Sequence, residues 1–296
     1  METSDYSLRA ALTIYCACYP AAVTTVGPKY YMKFLLVGLV LGISAVAFAA
    51  APLTESTFTE VIQDVKVVAA SDRAVTPARK DASFKAPDLV RTGPASRVEM
   101  TAPDQTITRI GANTVFTFES GERNLRLEKG SLLFSSPAGK GGGTIKYRGT
   151  AAAVLGTTLI CTVLPDGSFK TLVLEGQAQV TLADGRSVTL NAGEMVIVQP
   201  DGNAFGPVER FNLESLVSRL LLVTGFSHPL SSTPLINAAI ERQNAQSAAG
   251  SLGGFTPWRV AGQGLDLIGD DAKSGQPPAF LDLRNRGRET VSPTKP

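Results

Sequence analysis

The sequence predicts an all-β fold followed by a C-terminal α-helical hairpin and a disordered tail. From Phe58 to Val198, short runs rich in Val, Ile, Leu, Thr and Phe alternate with Gly, Asp, Asn or Pro. This pattern is typical of strands joined by tight turns. After Pro207 the apolar residues recur at helical spacing, and from Ala245 onward Gly, Pro, Ser, Gln and charged residues predominate. The last pattern is typical of a chain without a packed core.

The strand pattern is clearest in the segment Gln177–Leu182, where polar and apolar residues alternate with a period of two. One side of this strand is therefore expected to face a core and the other side water. The pair Asp184-Gly185 follows it, and the pair Asp166-Gly167 separates two earlier strands. Such pairs favour hairpins with a type I′ turn, which requires positive φ at both central residues.

A parallel α/β sheet is not expected in this region. Parallel neighbours need a crossover connection, usually a helix, and no ten-residue amphipathic stretch occurs between Ile62 and Val198. About a dozen strands at roughly ten-residue spacing instead predict adjacent antiparallel pairs, in a sandwich, a roll or a β-solenoid.

Two helices are predicted after the strands. An apolar stripe with helical spacing runs from Leu213 to Leu221 behind Asn212, which is a suitable N-cap, and Gly225 ends it. The second helix has Thr233 as N-cap and Pro234 at its first position. Its apolar stripe comprises Leu235, Ile236, Ala239 and Ile240. The two stripes are expected to pack on the sheet or on each other, and a docking groove for another protein is the alternative.

The N-terminal part resembles an export signal. Lys33 forms a positive n-region, Phe34–Val46 an apolar h-region, and Ala47-Phe48-Ala49 an A-x-A cleavage site. We therefore expect a secretory signal peptide that is cleaved. The alternative is an anchor in the inner membrane formed by residues 34–51, because this apolar stretch is at the lower limit of spanning length.

The cysteines indicate no intramolecular disulfide in the mature chain. Cys16 and Cys18 lie in residues 1–31, which we interpret as an upstream extension that is not translated. Cys161 is then the one remaining cysteine, in an apolar strand where a buried and inert thiol is expected.

Composition excludes several kinds of function. The chain has 28 Lys and Arg against 26 Asp and Glu, a formal charge of +2, so nucleic acid is not an expected partner. His228 is the single histidine, so no two-histidine metal centre and no metal cofactor are expected. The carboxylates Asp104, Glu128, Glu175 and Glu194 have no spacing that selects a catalytic pair. We therefore predict a protein that is not an enzyme.

A series of strand and turn segments resembles a known family. The segments are Val90–Met100, Ile107–Thr114, Leu127–Leu132, Ala153–Thr158, Val173–Val180 and Leu190–Glu194. In this order they resemble the FecR domain, an extracytoplasmic sensor-regulator domain first known from ferric citrate signalling. The resemblance spans about residues 88–198, and its most recognisable element is the apolar strand that ends in Gly156-Thr157.

The resemblance implies an all-β module outside the cytoplasm that recognises another protein. The best-known members relay the state of an outer-membrane receptor to a cytoplasmic sigma factor through a helical domain. Only 31 weakly patterned residues precede the apolar segment here, so we expect a secreted variant without the sigma-binding domain. The glycines Gly93, Gly156, Gly176 and Gly193 are expected to be structural turn or bulge positions. No ligand-contacting residue can be assigned from the sequence.

The resulting hypothesis is an exported, non-enzymatic protein, periplasmic or extracellular, that binds another protein or a cell-envelope component without a cofactor. It contacts membrane only through the signal segment, if that segment is uncleaved. A structural or surface-assembly protein of the cell envelope is the alternative. The expected organisation is an upstream extension (1–31), a signal peptide (32–50), a FecR-like β domain (56–206), a helical hairpin (209–246) and a flexible tail (247–296).

Overall fold

The structure is a computed structural model that describes residues 51–268. The predictions for the upstream extension, the signal peptide and the last part of the tail lie outside the described residues. Within residues 51–268, none of the helices combines the length and the hydropathy that crossing a bilayer requires.

Strands are the predominant regular elements of the described chain. In chain order they are β1 (Glu55–Ile62), β2 (Val65–Val68), β3 (Val75–Pro77), β4 (Ser83–Lys85), β5 (Leu89–Thr92), β6 (Arg97–Thr101), β7 (Ile107–Ile110), β8 (Val115–Phe118), β9 (Asn124–Ser135), β10 (Gly143–Tyr147), β11 (Thr150–Val154), β12 (Thr158–Val163), β13 (Phe169–Glu175), β14 (Gln177–Thr181), β15 (Ser187–Asn191), β16 (Glu194–Val198) and β17 (Glu209–Arg210). The predicted all-β fold class is confirmed.

The backbone pairings divide these strands into two sheets that share β9. Sheet A has the order β4-β1-β6-β7-β9-β12-β13-β16-β17. Sheet B has the order β3-β2-β5-β8-β9-β10-β11-β14-β15. The sheets face each other, since the rings of Phe84 in sheet A and Phe118 in sheet B lie 5.6 Å apart. At the other end Tyr147 of sheet B stacks on Phe169 of sheet A.

Strand β9 explains one departure from the predicted antiparallel pairing. Its first half pairs with β8 in sheet B and its second half, from Gly130, pairs with β12 in sheet A. Residues 136–142 then return the chain to sheet B, where β10 runs parallel to the first half of β9. A seven-residue loop suffices without a crossover helix, because β9 itself has already crossed to the other sheet.

Two apolar clusters stabilise the described part. The first lies between the sheets and includes Cys161, whose thiol has its pKa raised to about 12 by burial. The second lies on the outer face of sheet A, where Ile160 and Leu172 pack against residues that follow β17. Strands β12 and β13 are therefore covered on both faces, which accounts for their lack of polar alternation.

Between the last strand and residue 268, the described chain has four helices: α1 (Leu213–Val217), α2 (Leu221–Thr224), α3 (Thr233–Ala248) and α4 (Trp258–Gly262). The prediction of one continuous first helix is wrong, although Asn212 caps its start by accepting a hydrogen bond from Ser215 N at 2.7 Å. Leu220 is extended and pairs with Leu267, and Leu221 N donates to Asp266 O at 2.9 Å. This long-range pairing interrupts the helix.

The apolar stripe of α3 is narrower than the sequence predicts. Ile236 and Ala239 are buried against sheet A, whereas Leu235 is 56% exposed. Trp258 of α4 is half-buried against the second cluster, and the guanidinium of Arg219 lies over its ring, 5.0 Å from the ring centre.

A buried arginine fixes the region around α2 to sheet A. Arg109 of β7 is fully buried, and its Nε donates to Oε2 of Glu99 on β6 at 2.7 Å. Its other nitrogens donate to the carbonyl oxygens of Leu222 and Val223, at 3.2 and 2.9 Å, and of His228, at 2.6 Å. The guanidinium therefore supplies hydrogen-bond donors to carbonyls that a short helix leaves without partners.

Candidate binding groove

The chain passes from one sheet to the other at glycines with positive φ. Gly156 joins β11 to β12 with φ 68°, Gly176 joins β13 to β14 with φ 76°, and Gly193 joins β15 to β16 with φ 82°. An L-residue with a side chain adopts this conformation at a cost, so glycine suits such corners. We refer to these three residues as the corner row.

The corner row is tightly packed. A Cβ atom at Gly176 would lie 2.8 Å from Oγ1 of Thr157 and 3.0 Å from the carbonyl oxygen of Gly156. A Cβ atom at Gly193 would collide with the side-chain amide of Gln243 on α3. The glycines therefore allow successive corners, and then a helix, to approach each other closely.

Gly93 lies elsewhere. It belongs to the passage from β5 to β6, where the positive φ of 53° falls on Ala95 instead. Gly93 N donates to Asp64 O at 2.9 Å, and Gly93 O accepts from Asn113 N at 3.1 Å. Gly93 therefore links three connections, those of β1 to β2, β5 to β6 and β7 to β8. The structure thus brings together three of the four predicted glycines, whose assignment as purely structural positions stays a prediction.

Helix α3 is fixed along the corner row by hydroxyl groups at its start. Oγ of Ser232 lies 2.8 Å from Oγ1 of Thr158 and 3.1 Å from Oγ of Ser135. Thr158 also donates to Oε1 of Glu175 at 2.9 Å. Glu175 is only 6% exposed, and burial raises the pKa of its carboxyl group. These four side chains form one buried polar network between β9, β12, β13 and α3.

Farther along α3, Gln243 connects the helix to the chain that leads into α1. Its Nε2 donates to Phe211 O at 3.0 Å, and its Oε1 accepts from Leu213 N at 2.9 Å. Both halves of this buried amide are satisfied, so the helix is held at a fixed distance from the corner row.

A groove of about 480 Å³ remains between α3 and the corner row. Its polar side chains come from β14, β15, β16, β17 and α3: Gln177, Asn191, Glu194, Arg210, Arg242, Gln243 and Gln246. Leu252, in the connection after α3, supplies an apolar wall. Glu194 accepts from Asn191 N at 2.9 Å and lies 3.4 Å from Nε of Arg210. The groove is therefore polar and contains both signs of charge.

The predicted carboxylates do not converge on this groove as a set. Glu194 lines it, and Glu175 lines a neighbouring hollow beside α3. Glu128 is exposed on β9, and Asp104 lies between β6 and β7, where it pairs with Arg123 at 2.7 Å. Among residues 51–268, no group of three or more His, Cys, Asp or Glu side chains could hold a metal ion.

His228 is exposed between α2 and α3, and its neighbours do not form a hydrolase triad. Its Nδ1 lies 3.0 Å from Oγ of Ser227, and the same hydroxyl donates to Oε2 of Glu60 at 2.6 Å. The carboxylate thus engages the serine and its backbone N–H, whereas a triad requires it to orient the imidazole.

Sequence reasoning missed the residues that α3 contributes to the groove. Arg242 and Gln246 are four residues apart, so they share one face of the helix. This spacing was visible in the sequence, but the face could not be assigned to a groove without the position of the corner row. Arg210 lies in the two-residue strand β17, which has no sequence signature.

Comparison with known proteins identifies the class of the β region. Residues 88–179 match the family model described as FecR protein, so the predicted resemblance to a FecR domain is confirmed for this part of the chain. The matched range includes Gly93, Gly156 and Gly176 and ends before Gly193 and the helices. FecR domains belong to extracytoplasmic signalling regulators, and the match indicates that class of protein.

Two solved structures are similar to part of the chain. Both are crystal structures of proteins from Parabacteroides distasonis ATCC 8503, and each is provisionally described as an anti-sigma factor. The first, at 1.65 Å resolution, has 19% identity and a TM-score of 0.37, and the match covers 41% of this chain and 59% of that chain. The second, at 2.50 Å, has 16% identity and a TM-score of 0.36, with 44% and 71% covered. No curated protein matches the chain.

Proposed function

We propose that this chain is an exported FecR-domain protein without enzymatic activity, and that it binds another protein or a cell-envelope component at the groove beside α3. One observation carries the proposal. Three glycines of the FecR-like segments lie together in the corner row, and the groove along that row is lined by exposed amide and charged side chains.

The lining suits recognition of polar groups. Gln177, Asn191 and Gln246 present amides that can both donate and accept hydrogen bonds. Arg242 presents a guanidinium that can bind a carboxylate through two parallel bonds. Peptide backbone and acidic side chains carry the complementary groups, which supports a protein as the partner.

Export rests on the segment from Met32 to Ala49 and on the extracytoplasmic character of FecR domains. Mass spectrometry of the chain recovered from the periplasm or the medium tests it. A mature N-terminus near Ala50 is expected. A chain that retains residues 34–51 and fractionates with the inner membrane would contradict release and would indicate a membrane anchor instead.

Site-specific photo-crosslinking tests binding at the groove. A benzophenone amino acid is placed at Gln246, which lines the groove, and in a control chain at Val75, which is 58% exposed on β3. Irradiation of living cells is expected to give one defined adduct from position 246, which mass spectrometry identifies, and none from position 75.

The charge of the groove provides the second control. Arg242 is an exposed residue of α3, and its replacement by Glu reverses a charge that faces the groove. The yield of the adduct is therefore expected to decrease at least severalfold. Equal adducts from positions 246 and 75, or an adduct that Arg242→Glu does not reduce, would contradict binding at this groove.

A surface-assembly protein remains the second candidate, because β15 offers an edge. It is the outer strand of sheet B among the described residues, and its sequence Ser-Val-Thr-Leu-Asn contains no proline or charge to prevent strand addition. Sedimentation velocity separates the two functions. Concentration-dependent polymers that disappear in Thr189→Pro would favour assembly, and a monomer throughout favours recognition of a different molecule.

A further inference from the structure

Lys170 of β13 is a fully buried amine on the outer face of sheet A. Its Nζ donates to the carbonyl oxygens of Val260 at 3.2 Å, of Ala261 at 3.0 Å, and of Gln263. These carbonyls lie at the C-terminal end of α4, where a helix concentrates negative partial charge. The amine therefore joins sheet A to a segment about 90 residues later in the chain.

No carboxylate neutralises this amine among the groups packed around it. The residues paired with Lys170 across the sheet are Thr162 on β12 and Ile197 on β16, which carry no charge. The overlying segment contains Arg259 and Asp266, and the carboxylate of Asp266 is engaged elsewhere.

The remaining carboxylates of the surrounding elements also have other partners. Asp266 accepts from Ala112 N at 2.7 Å, Glu194 of β16 accepts from Asn191, Glu209 of β17 accepts from Thr256, and Glu214 of α1 accepts from Asn244. A buried ammonium without a counter-ion is costly. Burial lowers the pKa of Lys170 to about 7.

The segment over Lys170 has further contacts at its end, where Asp266 O accepts from Leu221 N at 2.9 Å and Leu267 pairs with Leu220. A connection containing Gly250, Gly253 and Gly254 precedes it, and a Cβ atom at any of these glycines would meet nothing within 4 Å. At Gly264, by contrast, a Cβ atom would lie 2.8 Å from side-chain carbons of Thr162 and Leu164. The segment is thus loosely connected at one end and closely applied to the sheet at Lys170.

We propose that residues 256–268 form a strap whose attachment to sheet A is controlled by protonation of the Lys170 amine. The docked strap excludes water from the amine and offers it only carbonyl oxygens. When the strap is released, water solvates the ammonium. The three carbonyl oxygens compensate for the lost hydration of the ammonium only in part, because burial without a counter-ion costs more than these bonds return. Relative to the released state, the docked state therefore favours the neutral amine.

The direction of the pH effect follows from this difference in proton binding. Released Lys170 keeps a proton up to its ordinary pKa of 10.5, whereas docked Lys170 loses it at about 7. Between these values the released state binds more protons, so docking strengthens as pH rises. Below pH 7 both states are protonated and the attachment is weakest and independent of pH.

Release of the strap would also alter the binding groove. Leu252, its apolar wall, lies in the connection between α3 and the strap. The strap begins at Thr256, whose N–H donates to Arg210 O at 2.6 Å beside the same groove. The occupancy of the groove and the docking of the strap are therefore expected to be coupled.

Hydrogen exchange of the whole chain, followed by mass spectrometry, tests the strap. Protection of residues 256–268, corrected for the intrinsic exchange rate at each pH, is expected to be constant from pH 6 to 7. It then rises by up to roughly tenfold per pH unit between pH 7 and 9, because one proton is exchanged. Peptides of β12 and β13 serve as the internal reference.

Lys170→Met is the matched variant, since its side chain has similar length and no titratable group. Its strap is expected to show no pH dependence from pH 7 to 9. If this variant does not fold, nuclear magnetic resonance titration of the Lys170 side chain in the wild-type chain decides the question, with an expected midpoint near 7. Protection in the wild type that does not rise with pH, an unchanged slope in Lys170→Met, or a midpoint near 10 would each overturn the proposal.

Discussion

Two buried cations fasten the C-terminal part to sheet A, and they do so under different electrostatic conditions. Arg109 bonds carbonyl oxygens at the end of α2 and is paired with the carboxylate of Glu99. Lys170 bonds carbonyl oxygens at the end of α4 and has no carboxylate beside it. The same device, a cation that reaches from a strand to a helix end, therefore occurs once with a counter-ion and once without.

The difference shows how one fold can hold two segments with different permanence. A guanidinium remains charged at every accessible pH, and its paired carboxylate compensates its burial. A lone amine changes its charge within the ordinary range of pH, so its attachment depends on conditions. The carbonyl groups that Arg109 holds are accordingly expected to stay attached, whereas the strap, with its pairing to Leu220 and Leu221, is expected to be conditional.

Breaking the paired attachment is expected to have the largest effect. Arg109→Met leaves the Glu99 carboxylate without its counter-ion and several carbonyls without donors. The free energy of unfolding is expected to fall by about 3–5 kcal/mol, the usual cost of an orphaned buried charge. Urea denaturation followed by fluorescence measures it.

A second substitution identifies the cause of that loss. In the double variant Glu99→Gln with Arg109→Met, no buried charge is left unpaired, so part of the stability is expected to return. A double variant less stable than Arg109→Met alone would show that packing, and not the orphaned carboxylate, dominates.

Two glycines in and before the strap allow a second comparison, for which smaller changes in free energy are expected. Gly264 and Gly250 both have positive φ, at 77° and 68°, but only Gly264 is closely packed. Gly264→Ala is expected to weaken docking through backbone strain and contact with Thr162, by about 1–3 kcal/mol. Gly250→Ala introduces strain alone and is expected to cost about 1 kcal/mol or less.

The measurement for this pair is limited proteolysis of the strap at constant pH. Gly264→Ala is expected to be cut faster than the wild type, and Gly250→Ala at a rate close to it. Equal acceleration by both substitutions would mean that the close approach at Gly264 does not hold the strap.

Local sequence patterns predicted the elements whose causes are local. The alternation in β14 and the hairpin at Asp184-Gly185 depend on neighbouring residues, and the structure has both. The predicted type I′ turn is wrong, because Gly185 has positive φ and Asp184 does not. Non-glycine residues at other corners, such as Ala95 and Asn113 with φ 53°, could not be recognised, because hydrogen bonds between passages determine their conformation.

The features of the C-terminal part depend on contacts between distant residues. Lys170 lies in β13, a short strand of mixed polar and apolar residues, where a lysine side chain is normally expected to face water. Residues about 90 positions later in the chain cover it. The break at Leu220 depends on Leu267 in the same way. The groove forms only because α3 lies beside the corner row. Its glycines could therefore be predicted from the sequence, whereas Arg210 and Arg242 could not.

Hydrogen exchange at pH 7 tests the central claim, the unequal permanence of the two attachments, in one measurement. Peptides covering α2 and its connection to Leu230 are expected to be protected nearly as strongly as β12, and peptides of residues 256–268 at least tenfold less. Equal protection of the two segments, or stronger protection of the strap, would contradict the account.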